Sequence, residues 1–216
     1  MNPLPTWYMP RNGETLDLFG FPIYKISVSD WENKKSQLLN LIDFSDTNTG
    51  SIKWTDNPAN NPPYSKVECD TDFYTYNAKA PYLNEFIGIL ETDLEKLVDD
   101  YTDLFRDRYG GEGPFQTFDK WQLWSQRYGK GQYHSAHNHG LMCISCILYV
   151  EFDDKLHFPT TFYSPNPNPY FGTIDKIAPP VVEGDIVTFP SVLLHESPVS
   201  HTEIPRTIMS FNIPMK

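Results

Sequence analysis

Hydrophobic positions in this chain keep two different rhythms. Between residues 83 and 104, Leu83, Phe86, Ile87, Leu90, Leu94, Leu97, Tyr101 and Leu104 recur every three or four positions, with Ile89 close to the same stripe. That spacing predicts one face of a long helix, punctuated by Pro81 near its start and Gly110-Gly111 past its end. Upstream, FPIYKISV (residues 21–28) predicts a strand and Ser29-Asp30 a helix start. The first helix is then DWENKKSQLLNLID, with Trp31, Leu38, Leu39, Leu41 and Ile42 at helical spacing. Residues 44–82 are rich in Asn, Asp, Thr and Pro and predict long loops with room for one short strand, NPANNPPYS being the clearest break.

After Gly113-Pro114 the period shortens. Five β-type runs follow, KWQLWSQRY, LMCISCILYVEF, LHFPTTFYS, GDIVTFP and RTIMSFNIP, separated by Pro and Gly. Helices first and short strands afterwards predict an α+β chain with its helices packed on one sheet of a β-sandwich or jelly roll. We expect one domain, with the strand, helices and long loops in residues 1–113 and the jelly-roll core in residues 114–216. SPNPNPYFG (residues 164–172) is expected as a loop between strands.

Composition narrows the partners. With 216 residues, 39% hydrophobic and 15% aromatic, the chain can bury one sizeable core. Its formal net charge of −11 and the lack of any basic run argue against nucleic acid, whose phosphates need Lys and Arg. The opening MNPLPTWYMPRNGETLDLFG lacks a charged region followed by an apolar one, so no secretory signal is expected. The longest apolar run, ISCILYV, falls far short of the ~20 residues a bilayer requires, so no membrane association is expected. Cys69, Cys143 and Cys146 are an odd, sparse set that suits a reducing, cytoplasmic setting.

The chemistry gathers in QRYGKGQYHSAHNHG, residues 126–140. On a strand, His137 and His139 point to one face, while His134 and Ala136 point to the other. His195, after the strand opened by Gly184-Asp185, offers a third donor from a different strand. Three donors on one side leave the other side of an ion open, as catalytic metal sites do. Taken alone, H-x-H also fits a polar strand edge, the reading given to His134; His157 and His201 read as loop or edge residues. Cys143-Ile-Ser-Cys146 is a C-x-x-C, but it lies inside an apolar strand, where a separation of three sends the thiols to opposite faces. Both read as core fillers.

Arg206, in IPRTIMSFNIPMK, shares a face with Ile208, Ser210 and Asn212 on the last predicted strand. An inward guanidinium is costly unless it meets an anion, and its planar fork matches a carboxylate. An open-faced metal beside such an arginine describes a site for a small 2-oxo acid.

These residues resemble the iron(II)- and 2-oxoglutarate-dependent dioxygenases. RYGKGQYHSAHNH is similar to the R-Y-x-x-G-Q-x-x-x-x-H-x-D motif of the prolyl 4-hydroxylase-like branch. G-D-x-x-x-F-P-x-x-x-x-H followed by R-x-x-x-S-x-N resembles a family of short oxygenases common in marine phages and bacteria, with Ser145 and Tyr149 of ISCILYV in register. The resemblance covers residues 121–214 well and 17–29 weakly. It implies a double-stranded β-helix fold, His137, His139 and His195 as ligands of Fe(II), and Arg206 as the clamp for 2-oxoglutarate. Tyr128 and Ser210 become hydrogen-bond donors to that cosubstrate. The implied reaction uses 2-oxoglutarate and O2 to hydroxylate an unactivated C–H of a protein, peptide or small molecule, with peptidyl proline suggested by the front motif. One departure stands out: His139 occupies the place of the usual aspartate, which leaves the ion its full 2+ charge. Two alternatives therefore stay open, a degenerate jelly-roll binding module and a cupin-like three-histidine dioxygenase that needs no 2-oxo acid.

Overall fold

The long amphipathic stripe is the organising element of one face of the molecule. A computed structural model describes residues 15–18, 20–45, 67–110, 117–140 and 143–215, together with Gly13 and Phe115. The NPANNPPYS break and the Gly-Pro punctuation at 111–114 lie outside the described residues. Helix α1 spans Trp31–Leu41, the single turn α2 Phe73–Tyr76, and α3 Leu83–Tyr109. On α3, Phe86, Leu90, Leu94, Leu97 and Tyr101 are buried, and they pack against Leu123, Ile144, Leu148, Met209, Phe211 and neighbouring sheet residues. The stripe and its sheet partners thus form one continuous apolar layer. Asp30 precedes α1 as expected but does not cap it with its side chain: it sits at φ 50°, and its carboxylate accepts from Asn33 Nδ2 at 2.7 Å.

The strands are β1 (Thr15–Leu18), β2 (Phe21–Ser27), β3 (Val67–Glu68), β4 (Asp70–Thr71), β5 (Gln122–Tyr128) and β6 (Tyr133–His137), followed by β7 (Cys143–Glu151), β8 (Thr161–Pro167), β9 (Ile174–Ile177), β10 (Asp185–Pro190), β11 (His195–Ser197) and β12 (Arg206–Pro214). They form two antiparallel sheets. The major sheet runs β1-β2-β10-β7-β12-β5-β4 and the minor one β3-β6-β11-β8-β9. The result is an α+β fold with a jelly-roll core and α3 laid on the outer face of the major sheet. Strands from the first third of the chain complete both sheets. Between them lies a second apolar cluster, which includes Ile23, Tyr128, Ile147, Tyr149, Phe162, Val187, Phe189 and Ile208. No helix among the described residues is long and apolar enough to cross a membrane.

Three local features differ from expectation. Ser164 to Pro167 continue β8, so the Pro-rich segment is the arm and tip of a β8–β9 hairpin, with Tyr170 and Phe171 exposed at the tip. Cys146 is buried but Cys143 is only half-buried, so just one of the two fills the core. His157 is a buried tie between loops: its Nδ1 accepts from the Asp153 N–H and its Nε2–H donates to the Ile204 carbonyl, both at 2.9 Å. His201 is exposed at an edge, as expected.

The Gly184-Asp185 pair has a structural origin. Gly184 sits at φ +85°, and a Cβ there would lie 2.9 Å from the Trp31 ring. The buried Asp185 carboxylate accepts from Lys25 Nζ (3.0 Å), Ser27 Oγ (2.7 Å) and the Val182 N–H (3.0 Å), which satisfies a charge that burial would otherwise penalise.

Candidate metal centre

His137 closes β6 and His195 opens β11, and the two are direct cross-strand partners in the minor sheet. Their facing positions bring the rings to 4.3 Å between centroids. His139 arrives differently. It lies two residues beyond the end of β6, in a segment held by its own N–H to the Ser191 carbonyl (2.9 Å) and by Ser191 Oγ to the Gly140 carbonyl (2.8 Å). Its ring stands 5.2 Å from that of His137 and 5.0 Å from that of His195. One donor nitrogen from each of the three rings lies within 4.8 Å of the others, and this is the metal-competent cluster found among the described residues. Asp153 and Asp154 are not part of it, and no carboxylate among the described residues lines the cavity around it.

Each ring is fixed through its Nδ1. A carbonyl oxygen can only accept, so the contacts of His137 Nδ1 with the Ser135 carbonyl and of His195 Nδ1 with the Leu193 carbonyl, both 2.8 Å, place the proton on Nδ1. His139 Nδ1 meets Asn212 Oδ1 and Ser145 Oγ, each at 2.9 Å. Ser145 Oγ donates to the same Oδ1 at 2.8 Å, and Asn212 Nδ2 donates to Gln122 Oε1 at 2.9 Å, which keeps the amide oxygen turned toward His139. All three therefore keep an unprotonated Nε2, the state a metal requires, with the orienting partner that metal-binding histidines characteristically have. His195 is buried outright, and His137 and His139 are partly accessible as whole residues although their rings are surrounded by protein. Burial is the main reason that the pKa of His137 is pushed down to about 4 and that of His195 well below the usual histidine range; His139 is lowered for the same reason. The donors are uncharged at neutral pH.

His134 does not point away. Its ring stacks on that of His137, with centroids 3.6 Å apart and an interplanar angle of 11°. The cause is a register shift in the β6–β11 ladder, where His137 faces His195 but His134 faces Ser197. Three steps on β6 match two on β11, and a bulge of this kind brings residues of opposite parity to one face. Alternation along the sequence holds only while the ladder is regular, so it could not show this.

Arg206 opens β12 opposite Tyr128 and is 2% exposed. Its NH1 donates to the Phe158 carbonyl and its NH2 to Ser197 Oγ, while the guanidinium lies 4.5 Å from the centre of the Tyr128 ring. Two buried polar atoms lack any partner among the described residues, Arg206 Nε and Tyr128 Oη. No carboxylate pairs with the arginine among those residues. Burial lowers its pKa and raises that of Tyr128 well above the usual range. Ser210 also faces the cavity and donates to Gln126 Oε1 at 3.3 Å. The enclosed space beside the triad, bounded by Tyr128, Ser197, Ile208 and Ser210, measures about 30 Å³. In front of it opens a groove of about 620 Å³, lined by Phe73, Tyr74, Lys79, Trp124 and Asn138 among others.

Sequence reasoning brought together His137, His139, His195, Arg206, Tyr128 and Ser210, and all six surround or adjoin this cavity. It had placed Ser145 and Asn212 by register and face without a role. It missed Trp124 and Gln126, whose shared parity with Tyr128 on β5 was the available signal, and Ser197, for which the short β11 offered none.

Known proteins share this fold and part of this sequence. Residues 122–212 match the sequence model of the family described as "Putative 2OG-Fe(II) oxygenase". No curated protein matches the chain. Among solved structures, a Pseudomonas putida prolyl-4-hydroxylase superposes with a TM-score of 0.53 at 12% identity, over 93% of this chain and 96% of the other. The viral collagen prolyl hydroxylase of Paramecium Bursaria Chlorella virus-1, solved with 2OG, gives 0.53 at 15% identity, covering 90% and 96%. A Trichoplax adhaerens prolyl hydroxylase, solved with a peptide fragment of the hypoxia inducible factor oxygen degradation domain, gives 0.52 at 15% identity, covering 89% and 83%. The solved structures share the fold of this chain, that of the prolyl 4-hydroxylases, and the likeness in sequence to the 2OG-Fe(II) oxygenase family is confined to residues 122–212. That matched segment is the stretch that carries both histidine motifs and the arginine.

Proposed function

We propose that this protein is an Fe(II)- and 2-oxoglutarate-dependent dioxygenase that hydroxylates an unactivated C–H, with prolyl residues of a peptide or protein as its substrate. The orphaned polar pair carries this reading. A buried Arg206 whose charge meets no carboxylate and whose Nε has no partner among the described residues, beside Tyr128 Oη in the same position, is costly alone and is satisfied by a carboxylate, to which the guanidinium and the hydroxyl both donate. The donor set fits the ion as well, since neutral imidazole suits iron.

His137, His139 and His195 would hold the metal through Nε2, each kept in that tautomer by its Nδ1 bond. When bound, the metal with 2-oxoglutarate and O2 supplies the oxidising power for C–H hydroxylation. Arg206 and Tyr128 anchor the far carboxylate, with Ser210 as a further donor. Ile147 and Ile208 give the cavity an apolar lining, and Phe189 packs against His195 at the histidine end. The front groove receives the substrate, and its Phe73, Tyr74 and Trp124 form the kind of aromatic lining on which proline-containing segments dock.

Anaerobic Fe(II) titration followed by a succinate-release assay tests the reading. Arg206→Ala should raise the 2-oxoglutarate requirement roughly 10- to 150-fold, the loss of a charged hydrogen-bond pair. An unchanged requirement would remove the clamp. A second reading, a degenerate jelly-roll binding module, draws on the narrow inner space of about 30 Å³. That reading predicts no succinate, with or without iron, and no response of the protein to 2-oxoglutarate.

A further inference from the structure

His134 is the one cavity histidine without a part in the proposed site, and its environment dictates what it can do. It lines both the enclosed space beside the triad and the front groove. Its ring lies flat on His137, and its cross-strand partner Ser197 is the residue that accepts from Arg206. It therefore bridges the histidine end of the cavity and the arginine end.

Which of its nitrogens carries the proton follows from Trp124. An indole N–H can only donate, so the side-chain atom of Gln126 that it reaches at 3.3 Å is the oxygen. Ser210 Oγ donates to the same oxygen. Gln126 must then turn its NH2 the other way, toward His134 Nδ1 at 3.5 Å. The contact is long, but a hydrogen on Nδ1 would meet an N–H head-on. Nδ1 is thus the acceptor, and the proton sits on Nε2. This is the opposite tautomer from that of His137, His139 and His195. No group among the described residues accepts from that Nε2–H, nor is the atom a buried, partnerless one like Tyr128 Oη. It is a donor open to the cavity.

We propose that His134, set in its Nε2–H form by Trp124 through Gln126, is a positioning residue that donates a hydrogen bond to the 2-oxo acid between the metal and Arg206, and is not a fourth metal ligand. The inference rests on the oxygenase reading above. An N–H in this position orients an anionic ligand without adding a charge beside the 2+ ion, and the stacked ring holds His137 in place at the same time.

The test uses Mn(II) and 2-oxoglutarate, titrated calorimetrically into the full-length protein. His134→Phe keeps a flat ring over His137 and removes the donor; His134→Gln restores an N–H. The phenylalanine variant should bind Mn(II) as the unaltered protein does but bind 2-oxoglutarate about tenfold to a hundredfold more weakly, and the glutamine variant should recover most of the loss. Equal 2-oxoglutarate affinity in the phenylalanine variant, or a collapse of its Mn(II) binding, would overturn the inference. If the unaltered protein takes Mn(II) but no 2-oxoglutarate, the oxygenase reading itself fails. Side-chain ¹⁵N spectra of the unaltered, metal-free protein supply a check that needs no variant: His134 should show the Nε2–H pattern and the other three the Nδ1–H pattern. His134 protonated on Nδ1 would overturn the assignment.

Discussion

At the scale of single residues, the site is a set of fixed tautomers. Two of the three Nδ1 protons go to main-chain carbonyls, which no substitution removes, but the third depends on Asn212 and Ser145. Of the three proposed ligands, His139 is therefore the one most exposed to mutation of its surroundings. Asn212→Leu should weaken metal binding about tenfold to a hundredfold while leaving all three imidazoles present. A titration with Mn(II) or Co(II) measures this directly, and an unchanged affinity would mean that Ser145 alone holds the ring. The histidines and Arg206 could be read from the sequence because their chemistry is intrinsic to residue type and spacing. His134 could not, because a bulge overrides the parity rule that sent it outward. The polar partners were likewise hidden: which amide faces which imidazole is decided by pairing between strands far apart in sequence.

At the scale of elements, α3 and the opening of β10 bear most on integrity. Leu94 is fully buried on the α3 stripe, so Leu94→Ala should cost about 2–5 kcal/mol, read as a lower denaturation midpoint with an unchanged slope. Gly184→Ala meets two penalties together, the left-handed backbone and the face of Trp31. We expect a loss of about 1–3 kcal/mol, and Trp31→Ala in the same chain should relieve part of it by removing the contact. The helices and long strands were legible in the sequence because their hydrophobic period is sustained, as in α3 and β12. The three-residue β11 was not, since so short a segment carries no period; nor was β8 beyond Tyr163, where Pro and Asn mimic a loop while hairpin pairing with β9 keeps the chain extended.

At the scale of the whole molecule, the two sheets divide the labour. The major sheet carries α3 on one side and, on the other, contributes Arg206, Tyr128 and Ser210 to the cavity. The minor sheet contributes His137 and His195. Because an ion at the triad binds only the folded chain, it should stabilise the entire domain. At a hundred times the dissociation constant, linkage gives about 2.7 kcal/mol. Thermal unfolding with added Mn(II) should thus shift upward, a chelator should reverse the shift, and His195→Ala should abolish it. A shift that persists in His195→Ala would place the bound ion elsewhere, a real alternative for a chain of net charge −11.

The facing of His137 and His195 across neighbouring strands has a consequence for how the protein matures. Neither histidine can chelate until two segments distant along the chain have zipped together in the right frame, and a slip of a single residue would turn one imidazole out of reach. A nascent or half-melted polypeptide owns every donor but no chelate. Metal uptake at this triad would thereby report on assembly, since the proposed site cannot be charged before the two strands are joined.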